Sequence, residues 1–282
     1  MKQDCHIHMV LDGADWKAAI GRHREAVDEA FVRAMLERYR DLGYTYLRDG
    51  GDRWGVGLRA SRLAPEYGIC YRTPLAPLRK TGHYGAFIGE SFDSLKEYAE
   101  KVGKIREKGG HFVKIMISGL MDFDRFGVLT EEPLPAAEIR EMIHIAHEEG
   151  FAVMAHANGA RTVEAAARAG VDSVEHGAYL DEAALQAMKE NGSVWVPTLS
   201  TIANLRGKGR FREEAVARIL GSAVENVRRF ASLGGLVACG SDAGAWAVPH
   251  GGETEWKLLR QAIGNDGEDV LHRGNERIME KF

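Results

Sequence analysis

Two histidines stand two residues apart near the start of the chain, in Cys5-His6-Ile7-His8-Met9. In an extended strand that spacing places both imidazoles on one face, where they could chelate a metal ion. Three further candidates each close an apolar run: His156 in Val153-Met154-Ala155-His156, His176 in Val174-Glu175-His176-Gly177, and Asp242 in Cys239-Gly240-Ser241-Asp242. Imidazoles with a carboxylate are the donor set of a catalytic divalent cation. A sixth residue, Lys114, sits inside the apolar stretch Phe112-Val113-Lys114-Ile115-Met116-Ile117. Burying an ammonium unpaired is costly, so its pKa should fall and the neutral amine become accessible. That amine could attack CO2 to give a carbamate, whose two oxygens could bridge two cations. Alternatively, the lysine snorkels to a rim or pairs with an acid.

The elements that must position these groups follow from the apolar pattern. Candidate strands run from Cys5 to Leu11, Tyr44 to Leu47, Ile69 to Leu75, Phe112 to Ile117, Phe151 to Ala155, Val171 to Val174, Val194 to Leu199 and Leu236 to Cys239. Helical spacing lies between them, as in Ile139, Met142, Ile143 and Ala146, or Val216, Ile219, Leu220, Ala223, Val227 and Phe230. Gly43, Gly150, Gly170, Gly192 and Gly235 stand just before the next strand, where left-handed helix C-caps belong. This alternation predicts an α/β protein, a single (β/α)8 TIM barrel. An open doubly wound sheet would need a Gly-rich phosphate loop after the first strand, and Met9 to Asp15 supplies none. In a barrel, His6, His8, His156, His176 and Asp242 fall at carboxyl ends of strands, the catalytic face, with Lys114 inside the fourth. The 234 residues between His8 and Asp242 make about 33 per βα unit, which suits ~250 residues in eight units.

Taken together, the motifs resemble the amidohydrolase superfamily: H-x-H after strand one, Lys after strand four, His after strands five and six, Asp after strand eight. The runs Phe112 to Gly119, His156 to Gly159, Glu175 to Gly177, Pro197 to Leu199 and Gly240 to Gly244 are similar to its imidazolonepropionase-like and prolidase-like branch. The resemblance extends from Asp4 to about Phe282. It implies two divalent metal ions: one on His6, His8 and Asp242, a second on His156 and His176, with a carboxylated Lys114 bridging both. Zinc suits so imidazole-rich a site, with Mn, Fe, Co and Ni as alternatives. The implied activity is hydrolysis of an amide-type C–N bond, in a dipeptide, N-acyl amino acid or cyclic amide, by a hydroxide bridging the metals. Asp242 would relay its proton to the leaving amine. Alternatives are a deaminase, a lactonase or phosphotriesterase of the same superfamily, and a non-catalytic barrel. The deaminase-type H-A-G-E is not matched by His156-Ala157-Asn158-Gly159.

Substrate contacts are expected from the loops of that face. His83 and Tyr84, in Thr81-Gly82-His83-Tyr84-Gly85, stand where relatives carry a T-G-G-H-G-like turn, and His83 either touches the substrate carbonyl or bonds within its loop. Arg79 and Arg125 could clamp a carboxylate bidentately. Thr198 could line the pocket, and His250 closes the loop after Asp242. His144 and His147 read as surface residues of a helix.

With 282 residues, 45% hydrophobic and 28% charged, and a formal net charge of −4, the composition is that of a soluble globular protein. Near-balanced charge supplies no field for nucleic acid or an anionic membrane, so a small-molecule substrate is expected. Three cysteines without C-x-x-C spacing point to a reducing, cytoplasmic setting. With five residues before His6, the expectation is one barrel domain over residues 1–282 without the usual β-sandwich, its lower face covered by loops or by another subunit of a homo-oligomer.

Overall fold

The computed structural model describes residues 2–264 and 267–282. Among the described residues, ten strands run in chain order as β1 (Lys2–Ile7), β2 (Tyr44–Asp49), β3 (Cys70–Arg72), β4 (Leu78–Lys80), β5 (Glu90–Phe92), β6 (Val113–Met116), β7 (Val153–Ala157), β8 (Ser173–His176), β9 (Val194–Val196) and β10 (Leu236–Val237). They form two parallel sheets, of order β1-β2-β3 and β10-β9-β8-β7-β6-β4-β5. The result is an α/β fold in which helices separate most successive strands, while β3, β4 and β5 follow one another through loops.

Eight of these strands fall on the apolar runs of the sequence. The other two, β4 and β5, were not anticipated. Leu78-Arg79-Lys80 and Glu90-Ser91-Phe92 are too short and too charged to show a period. Even so, β4 pairs with β6, Leu78 opposite Ile115, and so edges the strand that carries Lys114. Backbone hydrogen bonds also join the two sheets. On one side Cys5 N–H donates to Cys239 O at 2.8 Å, Asp242 to His6 O at 2.7 Å and His8 to Ala243 O at 2.7 Å; on the other, His111 donates to Thr73 O at 2.9 Å.

The helices bury the faces their periodicity predicts. Ala136–Glu148 buries Ile139, Met142, Ile143 and Ala146, and Glu213–Ser232 buries Val216, Ile219, Ala223, Val227 and Phe230. Each fully buried Ile, Met, Val or Phe contributes about 1.5–3 kcal/mol. Asp28, Ser94 and Asp181 cap their helices by accepting N–H bonds from Phe31, Glu97 and Ala184. Gly43, Gly150, Gly170 and Gly192 take left-handed φ values of 82, 80, 94 and 74° at helix ends. The fifth expected cap is Gly234, φ 82°, rather than Gly235. Gly235 is needed for another reason: a Cβ there would lie 2.5 Å from the Phe230 ring.

Inside the sheets, Cys5, Tyr46, Phe112, Met154, Val194, Val196 and Ala238 pack as one buried cluster with Ile278. Among the described residues, no helix is long and apolar enough to cross a membrane.

Candidate active site

Strand alternation turns Asp4 and His6 of β1 inward, and both are buried. His8 follows just past the strand end. β6 contributes Lys114, β7 His156 and β8 His176, while Asp242 lies in the turn after β10. The six converge. His6 Nε2 is 3.1 Å from Lys114 Nζ and 3.6 Å from Asp242 Oδ1. His8 Nε2 is 3.3 Å from Asp242 Oδ1, and His176 Nδ1 3.9 Å from Asp242 Oδ2. The His176 ring lies 5.2 Å from that of His6 and 4.5 Å from that of His156. His176, Thr198 and Asp242 adopt φ values of 68, 50 and 58°, a region sparsely used by non-glycine residues. Such a conformation costs of order 1–3 kcal/mol and persists only where surrounding structure imposes it. Here it caps strand ends at the site.

The electrostatics favour neutral imidazole donors. Burial, then the nearby Lys114, holds His6 well below the ordinary imidazole range; the same two influences act on His8 and take His156 to about 3. In His176 burial leads, followed by His156 and Lys114. Burial also lowers the Lys114 amine and raises the Asp242 carboxyl, each partly offset by the other's charge. His6, His8 and Asp242 offer ligand atoms all within 4.8 Å of one another. Asp242 Oδ1, buried between two imidazole nitrogens, has no hydrogen-bond partner among the described residues. A buried acceptor left unpaired beside two further lone pairs fits a divalent cation.

No family model matches the chain. Over 312 aligned residues it is 24% identical to an ochratoxinase of Aspergillus niger, covering 93% of this chain and 63% of that protein. The chain thus spans less than two thirds of that relative's length. The crystal structure of the A. niger ochratoxinase superposes with a TM-score of 0.77 at 21% identity, over 95% of this chain and 68% of that one. A Xaa-Pro dipeptidase with bound methionine gives 0.77 at 20% identity, over 99% and 75%. A third crystal structure, of an amidohydrolase, gives 0.73 at 20%, over 97% and 74%. The chain shares the fold of these three structures.

The groups that hold the histidines were not anticipated from the sequence. Glu175 Oε2 lies 2.7 Å from His6 Nδ1, so the ring donates Nδ1–H to the carboxylate and turns the Nε2 lone pair into the site. Arg48 donates to Glu175 Oε1 at 2.8 Å, to Ser173 Oγ at 2.9 Å and to Cys5 O at 2.7 Å. Ser173 Oγ–H completes the network by donating to Glu175 Oε1 at 2.6 Å. The available signal was a pair of opposite charges inside apolar strands. On the neighbouring strand, Thr198 Oγ1 is 2.7 Å from His176 Nδ1, while Trp195 Nε1–H donates to His176 O at 3.0 Å. Asn158, also missed, donates to Gly119 O and accepts from Ala178 N–H, tying together the segments after β6, β7 and β8.

A cavity of about 720 Å³ opens above the cluster. His8, Lys114, His156, His176 and Asp242 line it, together with Tyr84, Phe87, Phe123, Phe211 and Trp246. Of the expected substrate contacts, Tyr84 is on this wall, its ring 4.8 Å from that of His156. The others lie off it. His83 faces a separate surface depression, with Nδ1 3.4 Å from Glu131. Arg79 is spent on the backbone oxygens of Lys80 and His83, at 3.2 and 3.1 Å. Arg125 is exposed and pairs with Asp122 at 2.7 Å. Thr198 is buried beneath His176. His250 is buried between Tyr39 Oη and Leu11 O, at 2.9 and 2.8 Å, and braces its loop. His144 and His147 sit on the helix surface, paired with Glu148 and Asp172.

Proposed function

We propose that the protein is a metal-dependent hydrolase of amide-type C–N bonds in small molecules. In this reading His6, His8 and Asp242 hold one divalent cation, zinc being the best match to the donors, and His156 and His176 hold a second. A carboxylated Lys114 bridges the two. The two sheets are read as one closed (β/α)8 barrel, a reading supported by the backbone bonds from β1 to Cys239 and Ala243 and from His111 to Thr73. The chain is treated as a single barrel unit, and its free cysteines fit a reducing, cytoplasmic setting.

The observation that carries this reading is the state of Lys114. It is 1% exposed, so it does not snorkel, and among the described residues it forms no ion pair with a carboxylate. Its amine instead faces His6 Nε2 at 3.1 Å. A buried amine with depressed basicity is a nucleophile toward CO2: an N–C bond forms, one proton leaves to solvent, and an anionic bridging ligand results.

When bound, the cations would supply Lewis acidity that polarises the scissile carbonyl and lowers the pKa of water. The chain's own residues do the rest. Asp242, whose Oδ1 faces His6 and His8, keeps Oδ2 to accept a proton from the attacking water and hand it to the departing amine nitrogen. Oxygen joins the carbonyl carbon as the C–N bond breaks. Tyr84, against His156 on the wall, confines the substrate over the cluster.

Metal analysis of purified protein should give more than one equivalent of divalent transition metal per chain. Lys114→Ala should abolish hydrolysis of dipeptides, N-acyl amino acids and cyclic amides, with partial rescue by short carboxylic acids. Activity in metal-free protein, or full activity of Lys114→Ala, would overturn the reading. Faster turnover of lactones or phosphotriesters in the same screen would move the assignment to those substrates.

A further inference from the structure

The cavity above the cluster has buried polar groups at its floor and aromatic residues along its walls and mouth. Phe123, in the loop after β6, stacks on Phe211, in the loop after β9, with ring centroids 4.2 Å apart and planes 19° from parallel. Two loops from different strands therefore build one continuous aromatic wall, which Tyr84 and Trp246 extend. Trp246 is 37% and Trp16 48% exposed, both at the same cavity. Large apolar residues clustered at a mouth mark a binding surface, and flat aromatic groups offer these walls stacked and edge-on contacts.

An arginine lines the outer part of this cavity. The Arg210 guanidinium lies 4.8 Å from the Trp246 ring centre and 5.4 Å from that of Phe211. It is exposed, and among the described residues it makes no ion pair. Of the acids on the facing loop, Asp122 is engaged by Arg125 at 2.7 Å, and among the described residues no ion pair joins Asp124 to Arg210. A guanidinium resting on aromatic rings keeps its N–H edges free, and that fork matches a carboxylate bidentately.

We propose that Arg210 is a specificity-determining residue, selecting amides that carry a carboxylate beside a bulky aromatic acyl group. The acyl group lies along the Phe123–Phe211 wall, the carboxylate meets Arg210 at the rim, and the scissile carbonyl reaches the floor. This assignment rests on the amide-hydrolase reading, and the experiment separates the two.

The test is rapid-mixing binding of N-(2-naphthoyl)glycine and of its neutral carboxamide to the metal-loaded full chain, followed by tryptophan fluorescence before turnover. The wild-type protein should prefer the carboxylate by roughly tenfold or more, since a charge-assisted bidentate pair is lost in the carboxamide. Arg210→Met should bring the ratio close to one, and Arg210→Lys should keep part of it. N-acetylglycine, lacking the aromatic group, should bind more weakly than the naphthoyl compound. A preference that persists in Arg210→Met would place the carboxylate on the metals and overturn the assignment. Equal binding of the two naphthoyl probes by the wild type, binding of neither, or a preference for a cationic analogue would also overturn it. If no amide is hydrolysed, the amide-hydrolase reading falls, while the binding ratio still judges Arg210.

Discussion

His6 Nδ1 and Glu175 Oε2 are 2.7 Å apart, and both side chains are wholly buried. The carboxylate fixes which ring nitrogen carries the proton, so His6 presents Nε2 toward Asp242 without having to reorient. Glu175→Gln keeps the shape and removes the charge. Its affinity for Zn2+ or Co2+ should fall about 10–100-fold, the usual cost of losing a partner behind a ligating histidine. Competition with a chromogenic chelator at fixed pH measures this, and an unchanged affinity would make the contact a packing feature only.

The same carboxylate depends on Arg48, also fully buried, at 2.8 Å. Removing one member of a buried pair leaves an uncompensated charge, so Arg48→Met should destabilise the protein by about 3–5 kcal/mol. Urea unfolding should show a lower midpoint with unchanged slope. The double variant Arg48→Met, Glu175→Leu should recover part of the loss, because no lone charge then remains in the core.

The six candidate ligands were legible because each is a polar residue ending or interrupting an apolar run, and runs that alternate with helices bring such positions to one end of a parallel sheet. What supports them was not legible. Arg48 and Glu175 are separated by 127 positions, and nothing local in either strand names the other as partner. Loop residues were the least readable: Arg79 and His83 share a segment, yet their side chains turn to backbone oxygens and Glu131 rather than the cavity. Conversely, Phe123 and Phe211 carry no motif, and their stacking depends on how two loops from different strands meet.

Two glycines in helices should respond to alanine with opposite sign. In Gly267–Lys281, a Cβ on Gly274 would lie 2.0 Å from Val237 O, backbone of β10, just ahead of the turn carrying Asp242. Gly274→Ala should cost about 1–3 kcal/mol through overpacking. In Leu95–Glu107, a Cβ on Gly103 would meet nothing within 4 Å. Gly103→Ala should stabilise by about 0.4–1 kcal/mol, by restricting the unfolded chain at a helix-compatible position. Thermal melting of both variants beside the wild type reads the contrast directly.

Glu255 sets a dependence of stability on pH. It is buried, accepts the Ser200 N–H at 2.6 Å through Oε2, and leaves Oε1 without a partner among the described residues. Burial raises its carboxyl from the ordinary 4.5 to about 8, outweighing the hydrogen bonds from Ser200 and Leu199 that pull the other way. Between those two values the native state keeps a proton that the unfolded chain has released. Its stabilising contribution is therefore complete below 4.5 and is lost as pH rises through about 8. Asp4 and Asp49, raised by burial to about 6 and 7, act in the same direction, so the informative quantity is the difference between wild type and Glu255→Gln. Urea midpoints at about pH 5 and pH 8 should fall more with rising pH in the wild type than in the variant. Equal slopes would mean that Glu255 is already ionised in the native state across that range, with its charge matched by a group other than Ser200.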